Sequence, residues 1–291
     1  MNFTKGYELL KLCESKNNKI SEIMLQRERE ISACTEIDII NKMKKSLDIM
    51  RASMNQGLSG EIKSVGGLIG GDARKIKLRS ETSEPICGFI MSKAISRAMA
   101  VLEVNASMGK IVAAPTAGSS GIIPGTLFTV AEQFNFKDGK IIDGLLAASA
   151  IGMLISRNAT VAGAEGGCQA ETGSAAAMSA AGIVEMMGGS PQMALSAAAI
   201  CIKNVLGLVC DPVAGLVEAP CESRNAIGAA NALISAEMAL AGVKSLIPFD
   251  EVVDTMYKVG RCMPEELKET ALGGLAATPT AKRLQAKIFG N

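Results

Sequence analysis

The sequence contains no histidine and no tryptophan, and aromatic residues make up only 3% of its 291 positions. Without histidine the chain has no general base of the commonest kind, no serine-type triad and none of the usual imidazole zinc sites. Any imidazole in its chemistry must come from another chain. Charge of one sign is also missing. The 30 basic and 29 acidic residues leave a net charge of +1, so nothing points to nucleic acid or to an anionic membrane surface. No CxxC pair occurs, which excludes a zinc ribbon or a ferredoxin-type cysteine run.

Apolar residues are 48% of the chain, and they are chiefly Ala, Ile, Leu, Val and Met, alongside 30 glycines. This composition predicts an all-α fold, helices packed closely through small side chains, rather than a β-sandwich. No βαβ alternation, repeat or linker interrupts it. The reading is a single helical domain, with an amphipathic flank over 1–58 and the main body over 59–291.

Within the flank, apolar residues recur at helical intervals and predict two helices with a break near 32–35. Further helices are expected near 92–105, 126–134, 142–156, 170–187, 191–206 and 222–240. Another is expected to begin near Pro264, which suits a first helical turn, and the basic tail 282–291 is read as helical. The uncharged stretch 111–131 carries Pro115, Pro124 and several glycines, and is read as a buried loop and helix start, not a membrane span. The N-terminus lacks an apolar signal segment, and eight cysteines are too sparse for a disulfide scaffold. Both features fit a reducing cytoplasm.

Two loops are glycine-dense. Ser64–Ala73 lacks the spacing of a phosphate loop, so its glycines are read as turns or close backbone approaches. The basic residues after it, from Arg74 to Arg79, are read as a solvated face. In the second loop, Ser119, Ser120 and Gly121 precede a helix, whose N-terminus could receive a carboxylate or could simply be capped by the hydroxyls.

Three cysteines, Cys168, Cys210 and Cys221, lie among small uncharged residues, in Gly166-Gly167-Cys168-Gln169-Ala170-Glu171 and in the run from Cys210-Asp211-Pro212 to Ala219-Pro220-Cys221. Gly or Pro beside each one turns the backbone, and a helix N-terminus favours thiolate. Three thiolates on a cubane cluster would leave one iron open to act as a Lewis acid. Three structural thiols remain the alternative on this evidence alone. Cys201, inside an Ala-rich helix, is read as a core thiol.

These runs, with Gly70-Gly71-Asp72-Ala73, Met108–Gly125 and Arg224-Asn225-Ala226, resemble the α chain of bacterial iron–sulfur L-serine dehydratases over roughly residues 60–280. The resemblance implies an all-helical catalytic domain and a [4Fe–4S] cluster on Cys168, Cys210 and Cys221. It implies dehydration and deamination of L-serine to pyruvate and ammonia without pyridoxal phosphate, as in serine catabolism and gluconeogenesis. It also implies a separate β chain and assembly into oligomers. Some single-chain relatives end in a cysteine that reaches the cluster, whereas the tail here ends Ile288-Phe289-Gly290-Asn291, so no tail ligand is expected. Lys110, Glu165 and Glu171 are the candidate bases. Ser119, Ser120, Gly121, Lys203, Asn204, Arg224 and Asn225 are candidates for holding the substrate, although Arg224 could instead pair with Glu218 or Glu222. A cysteine desulfidase using the same chemistry and a non-catalytic electron-transfer module are the rival readings.

Overall fold

Small residues dictate how the centre of the protein is built. In the computed structural model, which describes residues 2–60 and 62–290, every residue of helix α9 (Ser174–Met186) is buried. Ala, Gly and Ser dominate it, so neighbouring helices can approach its backbone closely. A Cβ built on Gly182 would lie 2.7 Å from the carbonyl oxygen of Gly144 in α7 (Asp138–Asn158). Larger residues would push the two helices apart and lose packing contacts. Around α9 pack α6 (Ile122–Gln133), α7, α10 (Pro191–Asn204) and α11 (Cys221–Leu240). α7 is long and apolar enough to cross a membrane, but twelve of its residues are buried inside the protein, as in any core helix.

The amphipathic flank forms three helices, α1 (Gly6–Lys16), α2 (Ile20–Ser32) and α3 (Glu36–Leu58), where the sequence predicts two. Asn17, in the left-handed region at φ 53°, ends α1 and makes the additional break. The predicted break at 32–35 is present, and Thr35 caps α3 by accepting from the Asp38 N–H. Leu9, Ile20, Ile23 and Leu47 from this flank share one apolar core with α7 and α9. α4 (Asp72–Thr82) exposes its basic residues, and α5 (Gly88–Ala106) lies between α4 and α6. No β-strand occurs among the described residues.

Two further stretches differ from the sequence reading: α4 forms where that reading gives only a solvated basic face, and the region before and after Pro264 is built differently. A helix, α12 (Phe249–Cys262), occupies residues for which no helix is predicted. It buries Phe249, Val252, Val253, Met256 and Gly260 at helical spacing. The helix predicted near Pro264 is only a 3₁₀ turn, Glu265–Leu267. Pro264 follows a helix rather than starting one, and Met263 before it is extended at ψ 140°. Residues 263–278 then run as an irregular strap until α13 (Pro279–Phe289), which Thr278 caps. The tail is helical as predicted through Phe289, while Asn291 lies outside the described residues.

A buried acid ties the flank to the centre. Glu185 of α9, 2% exposed, accepts at Oε1 from both the N–H and the hydroxyl of Ser21 in α2, at 3.2 and 2.6 Å. Burial raises its pKa above the ordinary carboxylate value. The folded protein therefore holds its proton more tightly than the unfolded chain, and stability falls as pH rises from the unfolded value through the folded one. Glu185→Gln keeps an acceptor for Ser21 and removes the charge. It should melt a few degrees above the parent at pH 8, a gain of about 1 kcal/mol, and the gain should vanish near pH 4 in parallel thermal melts.

Candidate metal and substrate site

Three chain segments meet at one end of α9. The first is Gly163–Gly173. It consists of a short helix, α8 (Gly163–Gly166), then Gly167 and Cys168, then a turn of π-helix at Gln169–Gly173 that runs into α9. Gly167 has φ 73°, and a Cβ there would meet the Met263 sulfur at 2.6 Å and the Leu208 carbonyl oxygen at 2.8 Å. Only glycine suits that position. Gln169, fully buried, donates to the carbonyls of Gly166 and Met256 and accepts from the Gly207 N–H. Cys168 is thus fixed against α12 and the turn after α10.

The second segment is the loop from Cys210 to Cys221. The Cys210 N–H donates to Leu267 O at 2.8 Å, and Cys210 O accepts from the Glu269 N–H at 2.7 Å. These two bonds pin the loop to the strap. Asp211 is buried. Its Oδ2 accepts from the Leu275 N–H and its Oδ1 from Arg224 Nη2, both at 2.6 Å. Cys221 begins α11. The third segment is the loop 116–121, where Thr116 donates to Glu171 Oε1 at 2.7 Å and lies 3.0 Å from the Ser119 hydroxyl. Asn225 bridges two segments, accepting from the Gly121 N–H and donating to the carbonyls of Gly118 and Cys221.

Cys168, Cys210 and Cys221 are all buried, unpaired thiols. Burial raises the pKa of each. After burial, the charge of Cys168 raises both Cys210 and Cys221, and Cys221 stands at about 12. The three therefore lie within electrostatic reach of one another, drawn from distant parts of the chain. The sequence expectation that a helix N-terminus would favour thiolate is outweighed here by desolvation. Such a set of soft donors, costly to ionise when bare, fits a cationic iron–sulfur group, whose charge would offset all three. Arg224 supports this fit. It lowers the pKa of Cys168, and its Nη1 is buried without a partner.

Carboxylates border the thiols. Glu171 is half-buried, its pKa raised by desolvation, and its Oε2 lies 3.9 Å from Cys210 Sγ. Ligand atoms of Glu171, Cys210 and Glu269 all fall within 4.8 Å of one another. A Cβ on Gly163 would lie 2.7 Å from Glu171 Oε2, 3.1 Å from Cys210 Sγ and 3.1 Å from Glu269 Oε2. The three groups close on this glycine so tightly that any side chain there would have to displace them.

The other predicted residues are placed as follows. Ser119 and Ser120 are fully buried, and Ser120 Oγ has no partner. Gly121 immediately precedes α6. Lys110 and Glu165 are exposed. Lys203 and Asn204 end α10, where Asn204 donates to Asn231 Oδ1 at 2.7 Å. Cys201 is fully buried, with its thiol 3.6 Å from Asn231 O. Arg224 pairs with Asp211, not with Glu218 or Glu222. Sequence reasoning overlooks Thr116, Asp211, Gly163 and Glu269. Asp211 adjoins a singled-out cysteine and was within reach. Glu269, at φ 63° on the strap, carries no sequence signal.

Residues 15–276 match the family described as serine dehydratase alpha chain. The chain is 51% identical over 288 residues to the probable L-serine dehydratase, alpha chain, of Bacillus subtilis, covering 99% of this chain and 96% of that one. It is 49% identical to the L-serine dehydratase, alpha chain, of Peptoniphilus asaccharolyticus, covering 96% and 95%. Against the L-serine dehydratase TdcG of Escherichia coli it is 38% identical, covering 94% of this chain and 61% of that longer one. With identity of this extent over nearly its whole length, the chain belongs to the serine dehydratase alpha chain family.

Proposed function

We propose that this chain is the catalytic subunit of an L-serine dehydratase, a lyase that converts L-serine to pyruvate and ammonia, with Cys168, Cys210 and Cys221 holding a [4Fe–4S] cluster. The observation that carries the reading is three mutually interacting buried thiols beside the half-buried carboxylate of Glu171 and a guanidinium with a free donor. When bound, the cluster supplies a Lewis acid that makes the serine hydroxyl a better leaving group.

The chain's own residues supply the rest. Arg224, oriented by Asp211, offers Nη1 to the substrate carboxylate. Ser120 offers a second unpaired donor from the loop before α6. Glu171 takes the proton from Cα. Burial raises its pKa, which makes its ionised form a stronger base, and the Thr116 hydroxyl aims it. Proton removal and loss of the β-hydroxyl as water leave aminoacrylate, which tautomerises to the imine and hydrolyses to pyruvate and ammonia. Asn225 has its amide donors and its acceptor engaged, so it positions Cys221 against the 118–121 loop. The relatives named alpha chain point to a partner, the β chain. Because this chain has no histidine, any imidazole in the assembled site belongs to that partner.

Three outcomes test the reading. Cys210→Ser, purified anaerobically with its partner, should lose most of its bound iron and sulfide and all pyruvate formation. A full iron complement with normal turnover would refute the ligand assignment. Glu171→Gln should retain iron and lower kcat by about 10²-fold or more. Gly163→Ala should still fold, with only a small drop in Tm because the flexible Glu171 and Glu269 carboxylates can move aside, yet lower kcat/KM at least tenfold, about the cost of misplacing a reacting group, because its methyl group displaces Glu171 from beside Cys210.

A further inference from the structure

A second group of acids lies where α4, α5 and the start of α11 meet. One carboxylate oxygen from each of Asp72, Glu103 and Glu222 lies within 4.8 Å of the other two. Glu103 is fully buried, and its two oxygens accept from the N–H groups of Gly71 and Ala73 at 3.0 and 2.9 Å. Glu222 is 7% exposed, and its Oε1 is buried without any hydrogen-bond partner. Asp72 stands at the rim, paired at 2.5 Å with Lys75, whose side chain is 75% exposed. That ammonium offsets one of the three charges. Glu222 also faces Glu103 closely enough to share a proton with it, and burial together with that neighbouring carboxylate pushes its pKa up to about 8, so the two acids lie together only with a proton or a cation between them.

We propose that Asp72, Glu103 and Glu222 form a binding site for a hard divalent cation, Mg²⁺ or Ca²⁺. All the donors are carboxylate oxygens, with no thiol or imidazole among them, which is the donor set these ions select. Glu103 keeps lone pairs free beyond its two backbone bonds, and Glu222 Oε1 gains the partner it lacks. The ion ties α4 and α5 to the first turn of α11, which begins at Cys221. It is a structural clamp on the helix that carries Cys221, Arg224 and Asn225. The proposal stands independently of the cluster, since Mg²⁺ and Ca²⁺ do not seek thiolates.

The test uses the full chain, stripped with chelator and melted at constant ionic strength with MgCl₂, CaCl₂ or KCl, with calorimetric titration of the same salts. Millimolar Mg²⁺ or Ca²⁺ should raise Tm by about 3 °C or more, by preferential binding to the folded state. Chelator should reverse the shift, and KCl should not reproduce it. Asp72→Asn and Glu222→Gln should each abolish the response. Asp72 lies at the surface, so its variant keeps the test open if the Glu222 variant folds poorly. No shift with either divalent ion, an equal shift with KCl, or variants that respond as the parent does would overturn the proposal.

Discussion

Three sulfur atoms withdrawn from water set the terms for the rest of this structure. A buried thiol resists ionisation, and here each of the three is made more resistant by burial, two of them further by a neighbouring sulfur. The fold nevertheless collects them at one place. It does so by making each sit where the backbone has little freedom. Cys168 follows a glycine at positive φ that another side chain would not fit, Cys210 is held through both its backbone groups, and Cys221 opens a helix. Asp211 orients the nearest guanidinium from one side and fastens the strap from the other. The arrangement is held by backbone hydrogen bonds and small-residue packing, so it does not depend on the thiols bonding to one another.

Carboxylates play a comparable structural part. The glycine-dense loop at 64–73 has the amide-rich character of an anion cradle, and the protein fills it with its own side chains. Glu218 accepts from Ser64 Oγ, Gly66 N and Leu68 N at 2.6, 2.6 and 3.0 Å. Glu103 takes the amides of Gly71 and Ala73. A loop whose glycines read as turns and close backbone approaches therefore joins α5 to the Cys210–Cys221 segment. Its glycines are explained by those contacts, since a Cβ on Gly66 would lie 2.8 Å from a Glu218 oxygen.

The all-helical class and most helix positions were legible in the sequence, because Ala-rich apolar runs bounded by Gly, Ser and Pro allow few other structures. Boundaries near Ser190-Pro191 and Pro220-Cys221 were legible for the same reason. α12 was not, although its apolar residues recur at helical intervals, because Pro264 drew the reading to a helix start beyond it. In the site, the cysteines stood out by their neighbours, and Glu171 by its nearness to Cys168. Gly163, Thr116 and Glu269 did not, since their roles arise only when segments far apart in the chain come together. Lys110 and Glu165 show the converse. They lie close to the motifs in sequence, yet their side chains face solvent.

The single turn of π-helix at Gln169–Gly173 has one more consequence. Such a turn carries an extra residue relative to an α-helix, and each α-helical residue advances the direction of a side chain by about 100°. Excising one residue there would let an unbroken α-helix run from Cys168 into α9. The Ala-rich face could then stay seated in the core while the sulfur and the acid three positions on swung away from their neighbours. The irregularity thus acts as a phase adjustment, allowing one rod to satisfy the core with one portion and the reactive end with the other.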